Sequence, residues 1–479
     1  MPEVAAEAGG GHAEDRHYEA PTDPAVLAKL EQWQDLKFGL LMHWGAYSQW
    51  GIVESWSLCG EDEGWCQRSI DDYDEYRRQY EALATTFNPT GFDPQRWALA
   101  AKDAGMKYVV FTTKHHDGFC MFDTQLTDYK ISGSQSAFKD HPRADIAKHV
   151  FDAFRDQGMW AGAYFSKPDW NSDNYWWGRF PNWDRGPNYD LEKYPQRWER
   201  FIEFTHGQIE ELMTRYGKID ILWLDGGWVK ASDEEYLAEL RADPKYKFRN
   251  LQSQDIRMDE MVEMARSHQP GLIVVDRAVA GPNQNYLTPE NRVPESELPF
   301  PWESCIISGG GWSHTPSAKY MSTRQGVHML VDIVAKGGNL LLNVAPGPDG
   351  KWQQGAYDLL AGMGEWMDVN SQAIYGSRAR APYKLNNVCV LDGADDAVYA
   401  IILAAEGDEF PPSTVFVPGV NPADDAEVTL LGRDLSVLNT TLALPWTRKD
   451  DGIEVSIHDP VRKTPPCSDA WTLRIPHSI

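Results

Sequence analysis

Residues 219–228 read IDILWLDGGW, an apolar run of strand length that ends in a carboxylate followed by two glycines. Residues 108–119 read YVVFTTKHHDGF and follow the same plan, with apolar residues first and then two histidines and an aspartate. Both runs are apolar throughout rather than alternating, which is typical of parallel strands covered on both faces. They predict a parallel sheet with polar groups at its carboxyl edge.

From these two runs outward, the chain alternates short apolar stretches with amphipathic segments. In 146–154, for example, the apolar residues lie on one helical face and Gly158 follows as a natural end. Such alternation is the signature of stacked βα units, so we predict an α/β fold with a (β/α) TIM-like barrel over residues 26–378. The predicted strands are Lys37–His43, Tyr108–Thr113, Met159–Phe165, Ile219–Leu224, Leu272–Val275, Cys305–Ile307 and Asn339–Val344, and the predicted helices include Ile146–Phe154, Tyr320–Val334 and Tyr357–Met367.

The two ends of the chain differ from this pattern. Residues 379–479 contain short runs such as Gly452–Ile457, in which apolar and polar residues alternate after an Asp-Gly turn signal. They predict a C-terminal antiparallel β-sandwich. Residues 1–25 are acidic and poor in hydrophobic residues, so we expect a disordered tail. The first residues lack the basic and apolar regions of a secretion signal, and we therefore expect a cytoplasmic protein, with a secreted protein whose leader was removed as the alternative.

Composition excludes some classes of partner. The formal net charge of −26 argues against nucleic acid, because phosphate binding requires a basic surface. A membrane span needs about 18 uninterrupted apolar residues, and the sequence contains no such run. The chain has 20 tryptophans, whose indoles pack well on sugar rings, although they would also fill a large barrel core. There is no CxxC pair, so a zinc or redox site is not expected.

Polar side chains come where each predicted strand ends. In a (β/α) barrel, the carboxyl ends of the strands converge over one mouth, so we expect these side chains to form one site able to bond hydroxyl groups. His115 and His116 are adjacent, and neighbouring strand residues point to opposite faces, so we expect neither a shared metal ion nor another cofactor. The candidate residues are His43, His115, His116, Tyr164, Trp223, Asp225 and Arg277.

Glycoside cleavage requires two carboxyl groups, one as nucleophile or base and one as acid. Asp225 is the candidate for the first, because two glycines leave open space in front of it. For the second, residues 285–305 contain four glutamates on one long loop. Glu290 and Glu303 both follow prolines closely and are the best restrained of the four. The residues alone leave the choice between them open.

At this point the motifs resemble those of a known family, glycoside hydrolase family 29, the α-L-fucosidases. The resemblance covers roughly residues 30–378. It implies a distorted (β/α) barrel followed by a C-terminal β-sandwich, and a retaining, metal-independent exo-enzyme that releases L-fucose from a fucosylated oligosaccharide or glycoconjugate. The motifs that carry it are, in order, HWG, ESW, TTKHHDGF, WLDGGW, TPE, WESC and GGNLLLNVAPGPDG.

The resemblance also implies individual roles. The nucleophile corresponds to Asp225, and the acid/base best matches Glu290 of TPE, with Glu303 of WESC as the runner-up. The two catalytic carboxyls are then expected about 5–5.5 Å apart. The residues implied in binding the sugar are His43, His115, His116, Tyr164, Trp223 and Arg277, the pair Glu54 and Trp56 (here separated by an extra serine), and Trp312, which packs on the fucose methyl group.

Two other interpretations remain beside fucose hydrolysis. One is a hydrolase of the same family that acts on a related sugar such as an α-L-galactoside, which a polar group in place of the Trp312 contact would favour. The other is a non-catalytic sugar-binding protein. That interpretation predicts loss of the two carboxylates, and both are present in the sequence.

Overall fold

The computed structural model describes residues 18–59, 68–432 and 443–477. Its central sheet has seven parallel strands, which are buried along almost their whole length as their apolar sequences predict. The strands are β1 Phe38–Met42, β2 Tyr108–Lys114, β3 Trp160–Ser166, β4 Ile221–Asp225, β5 Ile273–Asp276, β6 Glu303–Ile307 and β7 Asn339–Asn343. Their spatial order is β5-β4-β3-β2-β1-β7-β6.

The barrel is distorted where β5 and β6 would meet, because the described residues show no pairing between these two strands. The irregular segment 283–291 lies there instead. The Asn285 N–H donates to the Val274 carbonyl (3.0 Å), and the Glu303 N–H donates to the Leu287 carbonyl (2.8 Å). Pro289 within the segment has no N–H for a regular ladder. The predicted distorted barrel is therefore confirmed.

Helices cover the outside of the sheet, and their ends follow local capping chemistry. Helix 146–156 begins after Asp145, whose side chain accepts from the Lys148 N–H. The predicted helix 320–334 begins only at Thr323, because Ser322 and Gln325 form a capping box. No helix within the described ranges combines the length and apolarity needed to cross a bilayer. The helices are α1 Pro24–Leu36, α2 Tyr73–Thr86, α3 Pro94–Asp103, α4 Ile146–Asp156, α5 Pro195–Arg215, α6 Glu234–Ala242, α7 Met258–His268, α8 Thr323–Ala335 and α9 Gln354–Ile374, with 3₁₀ turns at Ala46–Gln49, Trp56–Leu58 and Pro244–Tyr246.

The C-terminal residues form two antiparallel sheets, which confirms the predicted sandwich. Apolar side chains of both sheets, such as Val390 and Val455, bury one common core. Residues 426–431, which we also expect from their sequence to form a strand, contribute only the two strand residues Thr429–Leu430. The strands are β8 Arg378–Leu385, β9 Val388–Asp392, β10 Ala397–Leu403, β11 Thr414–Pro418, β12 Thr429–Leu430, β13 Trp446–Lys449, β14 Gly452–Ser456 and β15 Ala470–Pro476, and a short helix α10 spans Asp459–Arg462. The sheet orders are β12-β15-β10-β9-β8 and β11-β14-β13.

The sandwich packs against the barrel through α8 and α9. Buried residues of its larger sheet, such as Leu391 and Ile401, belong to the same hydrophobic cluster as the barrel helices. The Trp366 indole N–H donates to the Ala470 carbonyl at 3.0 Å. The sandwich thus packs against the side of the barrel that contains β6 and β7. Strand β6 is the one that follows segment 283–291.

Of the predicted tail, residues 1–17 lie outside the described residues. The Tyr18 hydroxyl donates to the Asn285 carbonyl at 3.0 Å, and its ring stacks on Phe300. Helix α1 then begins at Pro24, with Asp23 as its N-cap. Residues 18–23 therefore lie against the loop that carries the candidate glutamates.

Candidate active site

Asp225 is the last residue of β4 and lies at the barrel mouth. One carboxylate oxygen accepts from the Tyr164 hydroxyl on β3 (2.7 Å), and the other accepts from the Gly226 N–H (2.8 Å) and from the Arg277 guanidinium (3.2 Å). Gly226 has a φ of +90°, and a Cβ there would lie 2.4 Å from Pro168. The Asp225 side chain keeps 17% exposure, so it faces open space while its oxygens are held.

The charge of Asp225 follows from this setting. Burial alone would raise the pKa of the carboxyl, but Arg277, His116 and the Tyr164 hydrogen bond together hold the pKa well below its ordinary value. Asp225 is therefore ionised at neutral pH. A fixed, ionised and partly exposed carboxylate at the barrel mouth is suited to attack an electrophilic carbon.

Arg277 joins Asp225 to a second carboxylate. Its Nη2 donates to Glu290, its Nη1 donates to Asp225, and its Nε donates to the Thr288 hydroxyl at 3.2 Å. The other oxygen of Glu290 accepts from the Trp312 indole N–H at 3.1 Å. The Glu290 side chain is 30% exposed. Two carboxylates that bond one guanidinium at the mouth satisfy the basic requirement of a glycosidase.

The structure does not bring Glu303 to this pair. Glu303 is the first residue of β6 and pairs in register with Asn339, the first residue of β7. Its carboxylate accepts from the hydroxyl of Tyr108, which is the first residue of β2. The first residues of parallel strands lie at the end of the barrel opposite the mouth. Glu303 is also completely buried, whereas Glu290 lies beside Asp225.

Three histidines surround the pair, as predicted from the strand ends. The His43 Nδ1–H donates to the Asn343 side-chain oxygen at 3.0 Å, and His115 hydrogen-bonds Ser55. His116 Nε2 lies 3.9 Å from a carboxylate oxygen of Asp225. Burial lowers the pKa of His43 and of His116 to about 4, so both are neutral at physiological pH. A neutral imidazole donates at one nitrogen and accepts at the other, which suits sugar hydroxyls.

The prediction that the side chains of His115 and His116 point to opposite faces is wrong. Strand β2 ends at Lys114, so the alternation of a strand does not apply to the next two residues. Their ring centroids lie 4.2 Å apart, and nitrogens of both lie within 4.8 Å of one another and of an Asp225 oxygen. The neighbouring guanidinium of Arg277 opposes a cation there. The expected absence of a metal ion stays a prediction.

Glu54 is a buried carboxyl in the turn after β1. Its side chain accepts from the Ser313 N–H at 2.7 Å, and Ser55 beside it bonds His115. Burial, together with the nearby charges of Glu290 and Asp225, raises the pKa of Glu54 to about 8. Glu54 therefore carries a proton at neutral pH, although its hydrogen bonds to Ser313 oppose the shift. The extra serine keeps Glu54 near the site and also positions His115.

These pKa values predict the pH dependence of activity. Below about pH 4, His43 and His116 gain charge and lose their acceptor nitrogens, and above about pH 8, Glu54 gains a negative charge beside Asp225. We expect kcat/KM to be highest between these limits, since it reports the ionisations of the free enzyme. Glu54→Gln should move the alkaline decline to a different pH, whereas the exposed Glu297→Gln should not. An unchanged alkaline decline in Glu54→Gln would show that another acid governs it.

Aromatic side chains form the walls of the site. Trp56 and Trp228 are half-buried, and their rings lie 5.0 Å and 5.2 Å from the ring of His116. The Arg185 guanidinium lies 4.9 Å from the Trp56 ring and 5.0 Å from the Trp228 ring, a cation–π arrangement. On the other side, Trp312 lies 5.2 Å from His43. The pocket thus has indoles on both sides of the carboxylates.

Sequence reasoning missed Trp228 and Arg185. Trp228 was visible as the last letter of WLDGGW, three residues after Asp225, and its position in that motif was the available signal. Arg185 lies in the long loop between β3 and α5 and shows no pattern of its own. The structure also gives Trp223 a different setting from the one predicted. Its side chain is 1% exposed and its single N–H donates to Glu303 at 3.3 Å, so it lies beneath the site.

The known proteins that this chain resembles are α-L-fucosidases. The family model for α-L-fucosidase matches residues 6–372. Rattus norvegicus tissue α-L-fucosidase is 26% identical over 492 residues, covering 98% of this chain and 95% of that protein. Homo sapiens tissue α-L-fucosidase is 25% identical over 460 residues, covering 93% and 89%.

Solved structures show the same similarity. α-L-Fucosidase isoenzyme 1 from Paenibacillus thiaminolyticus superposes with a TM-score of 0.70 at 28% identity, over 94% of this chain and 99% of that one. The family match extends over most of the barrel and includes every candidate site residue. The chain therefore belongs to the α-L-fucosidase family, glycoside hydrolase family 29.

Proposed function

We propose that this chain hydrolyses terminal α-L-fucosyl residues of fucosylated oligosaccharides or glycoconjugates with retention of anomeric configuration. The observation that carries the proposal is the pair of carboxylates, Asp225 and Glu290, bonded to the one guanidinium of Arg277 at the barrel mouth. Retaining glycosidases use two nearby carboxyl groups, one as nucleophile and one as acid and base. Membership of the family supports fucose as the sugar.

In the first step, Asp225 attacks the anomeric carbon while the bond from that carbon to the leaving oxygen breaks. Glu290 donates its proton to the leaving oxygen, and a glycosyl-enzyme forms. The fixed donors on Asp225 (Tyr164, Gly226 and Arg277) align its oxygens before the substrate arrives. Alignment of this kind lowers the barrier because little reorganisation remains to be made in the transition state.

In the second step, Glu290 removes a proton from water, which attacks the anomeric carbon and releases Asp225. Glu290 must therefore be ionised between the two steps. Its hydrogen bond from Arg277 stabilises that ionised state. Retention follows because both displacements invert the same carbon.

Trp312 supports fucose over the α-L-galactose alternative. Its N–H is bonded to Glu290, which fixes the orientation of a half-buried indole beside His43. A methyl group at C6 gains apolar contact against such a ring, whereas a hydroxyl there would lose hydrogen bonds to water. Because Trp312 alone carries this preference for fucose, we expect slower hydrolysis of the α-L-galactoside than of the α-L-fucoside, and not a complete lack of it.

A screen of aryl glycosides beside defined fucosylated oligosaccharides tests the proposal. We expect turnover of the aryl α-L-fucoside, slower turnover of the α-L-galactoside and none of β-anomers. The configuration of the first product, followed by NMR, should be retained. Faster turnover of the α-L-galactoside would assign the related sugar instead, and binding of L-fucose with no turnover of any glycoside would support a sugar-binding protein.

A further inference from the structure

The floor of the barrel holds a carboxyl group that the proposed reaction does not use. Glu303 has no exposed surface, and its two oxygens accept from different strands, one from the Tyr108 hydroxyl at 2.6 Å and one from the Trp223 indole at 3.3 Å. Burial raises the pKa of Glu303 to about 7, although these hydrogen bonds oppose the shift. An apolar residue of this size would avoid the cost of burying a carboxyl group, so a polar one at this position requires an explanation.

Trp223 connects this floor to the nucleophile. Its ring stacks on Tyr164 with centroids 5.2 Å apart, and Tyr164 donates to Asp225. The Arg277 guanidinium lies 4.9 Å from the same ring, and Arg277 donates to Asp225 and to Glu290. Tyr164 and Arg277, two of the three hydrogen-bond donors to Asp225, thus both contact the Trp223 indole.

The orientation of that indole is set from below. Trp223 has one hydrogen-bond donor, and Glu303 accepts it. This hydrogen bond fixes the edge of the ring, in addition to the packing around a side chain that is 1% exposed. A shift of the ring would move both Tyr164 and Arg277, and a displacement of about 1 Å at the reacting groups can cost about a hundredfold in rate.

We propose that Glu303 is a positioning residue, which fixes the Trp223 indole from the barrel floor and so holds Tyr164 and Arg277 in place on the nucleophile. The proposal rests on the fucosidase function proposed above. It assigns Glu303 no contact with substrate and no proton transfer. It also gives the two carboxylate oxygens of Glu303 different roles, because only one of them accepts a hydrogen bond from Trp223.

Four variants test it on an aryl α-L-fucoside. Glu303→Met removes the acceptor at similar volume, and we expect kcat to fall about tenfold to a hundredfold with KM within about threefold. Trp223→Phe keeps a ring but removes the donor and should behave alike. Glu303→Gln keeps an acceptor oxygen for Trp223 and should restore kcat to within about threefold of wild type. Tyr108→Phe is the matched control, since it removes a hydrogen bond of Glu303 that does not involve Trp223 and should leave kcat nearly unchanged.

The double variant Glu303→Met/Trp223→Phe distinguishes coupling from general damage. If the two side chains act as one unit, its kcat should equal that of the slower single variant rather than the product of both losses. Azide should not restore the Glu303→Met rate, and restoration would make Glu303 the acid instead. If Tyr108→Phe lost as much kcat as Glu303→Met, Glu303 would serve only to pack the barrel floor, and the proposal would be overturned. Full activity in Glu303→Met would also overturn it.

The test separates this proposal from the function itself. An inactive wild-type enzyme in the glycoside screen would refute the proposed function, whereas an active wild type with unaffected Glu303 and Trp223 variants would refute only the positioning role. Melting temperature and circular dichroism identify any variant that does not fold. If Glu303→Met does not fold, Trp223→Phe and Glu303→Gln decide the matter, and an undiminished kcat in Trp223→Phe would overturn the proposal.

Discussion

Asp225→Ala is expected to lower kcat on an aryl α-L-fucoside by about 10⁴-fold or more, the scale of losing a covalent nucleophile. Asp225 lies at the mouth, is ionised at neutral pH and is oriented by three donors from three neighbouring parts of the chain. The measurement is steady-state turnover together with burst kinetics.

Graded variants separate the nucleophile from its supports. Asp225→Asn keeps the shape of the side chain and should be nearly as slow as alanine. Tyr164→Phe removes one hydrogen bond to a charged group and should cost about tenfold to a hundredfold. In Asp225→Ala, azide entering the vacated volume would attack the same face of the sugar and give a fucosyl azide of inverted configuration. Turnover of Asp225→Ala within tenfold of wild type would refute the assignment.

Glu290→Ala is the second large effect. A general acid contributes about 10²- to 10⁴-fold, and the contribution is largest when the leaving group is a poor one. We therefore expect a severe loss on fucosylated oligosaccharides and a smaller loss on aryl fucosides whose leaving groups need no proton. With activated substrates the glycosyl-enzyme should accumulate, because the base for the second step is also absent.

Azide separates Glu290 from the nucleophile. In Glu290→Ala, azide should restore the rate by attacking the glycosyl-enzyme, and the product should have retained configuration, opposite to that of the Asp225 variant. Glu297→Ala is the matched control, an exposed glutamate on the same loop, and should remain fully active. If Glu303→Ala showed leaving-group dependence and azide rescue while Glu290→Ala did not, the two assignments would have to be exchanged.

The barrel strands could be predicted from sequence because their signal is local. All seven predicted strands overlap β1–β7, since an apolar run bounded by polar residues specifies a strand buried on both faces without reference to the rest of the chain. The polar residues at the end of β4 and directly after β5 then lie at one mouth because parallel strands share a direction. Asp225 and Arg277 were found in this way.

Local rules failed where strand alternation was applied to residues beyond the end of a strand. His115 and His116 follow β2 instead of continuing it, so their side chains converge on Asp225 rather than diverge. In the sandwich, β8 was missed because it lies at a sheet edge, is mostly exposed and contains a proline, Pro382. In both cases the deciding contacts come from elsewhere in the chain.

By itself, the sequence determined the strands, the order of polar groups at their ends and Asp225 as the foremost carboxylate. Only the tertiary structure placed Glu290 and Glu303 at different ends of the barrel, although they lie in one proline-rich stretch of the sequence. Segment 283–291 brings Glu290 to Arg277, whereas the register of β6 with β7 buries Glu303 at the opposite end. The physical reason is distance along the chain. The bond from Arg277 to Asp225 spans 52 residues and that from Ser313 to Glu54 spans 259, and no local pattern encodes such pairs.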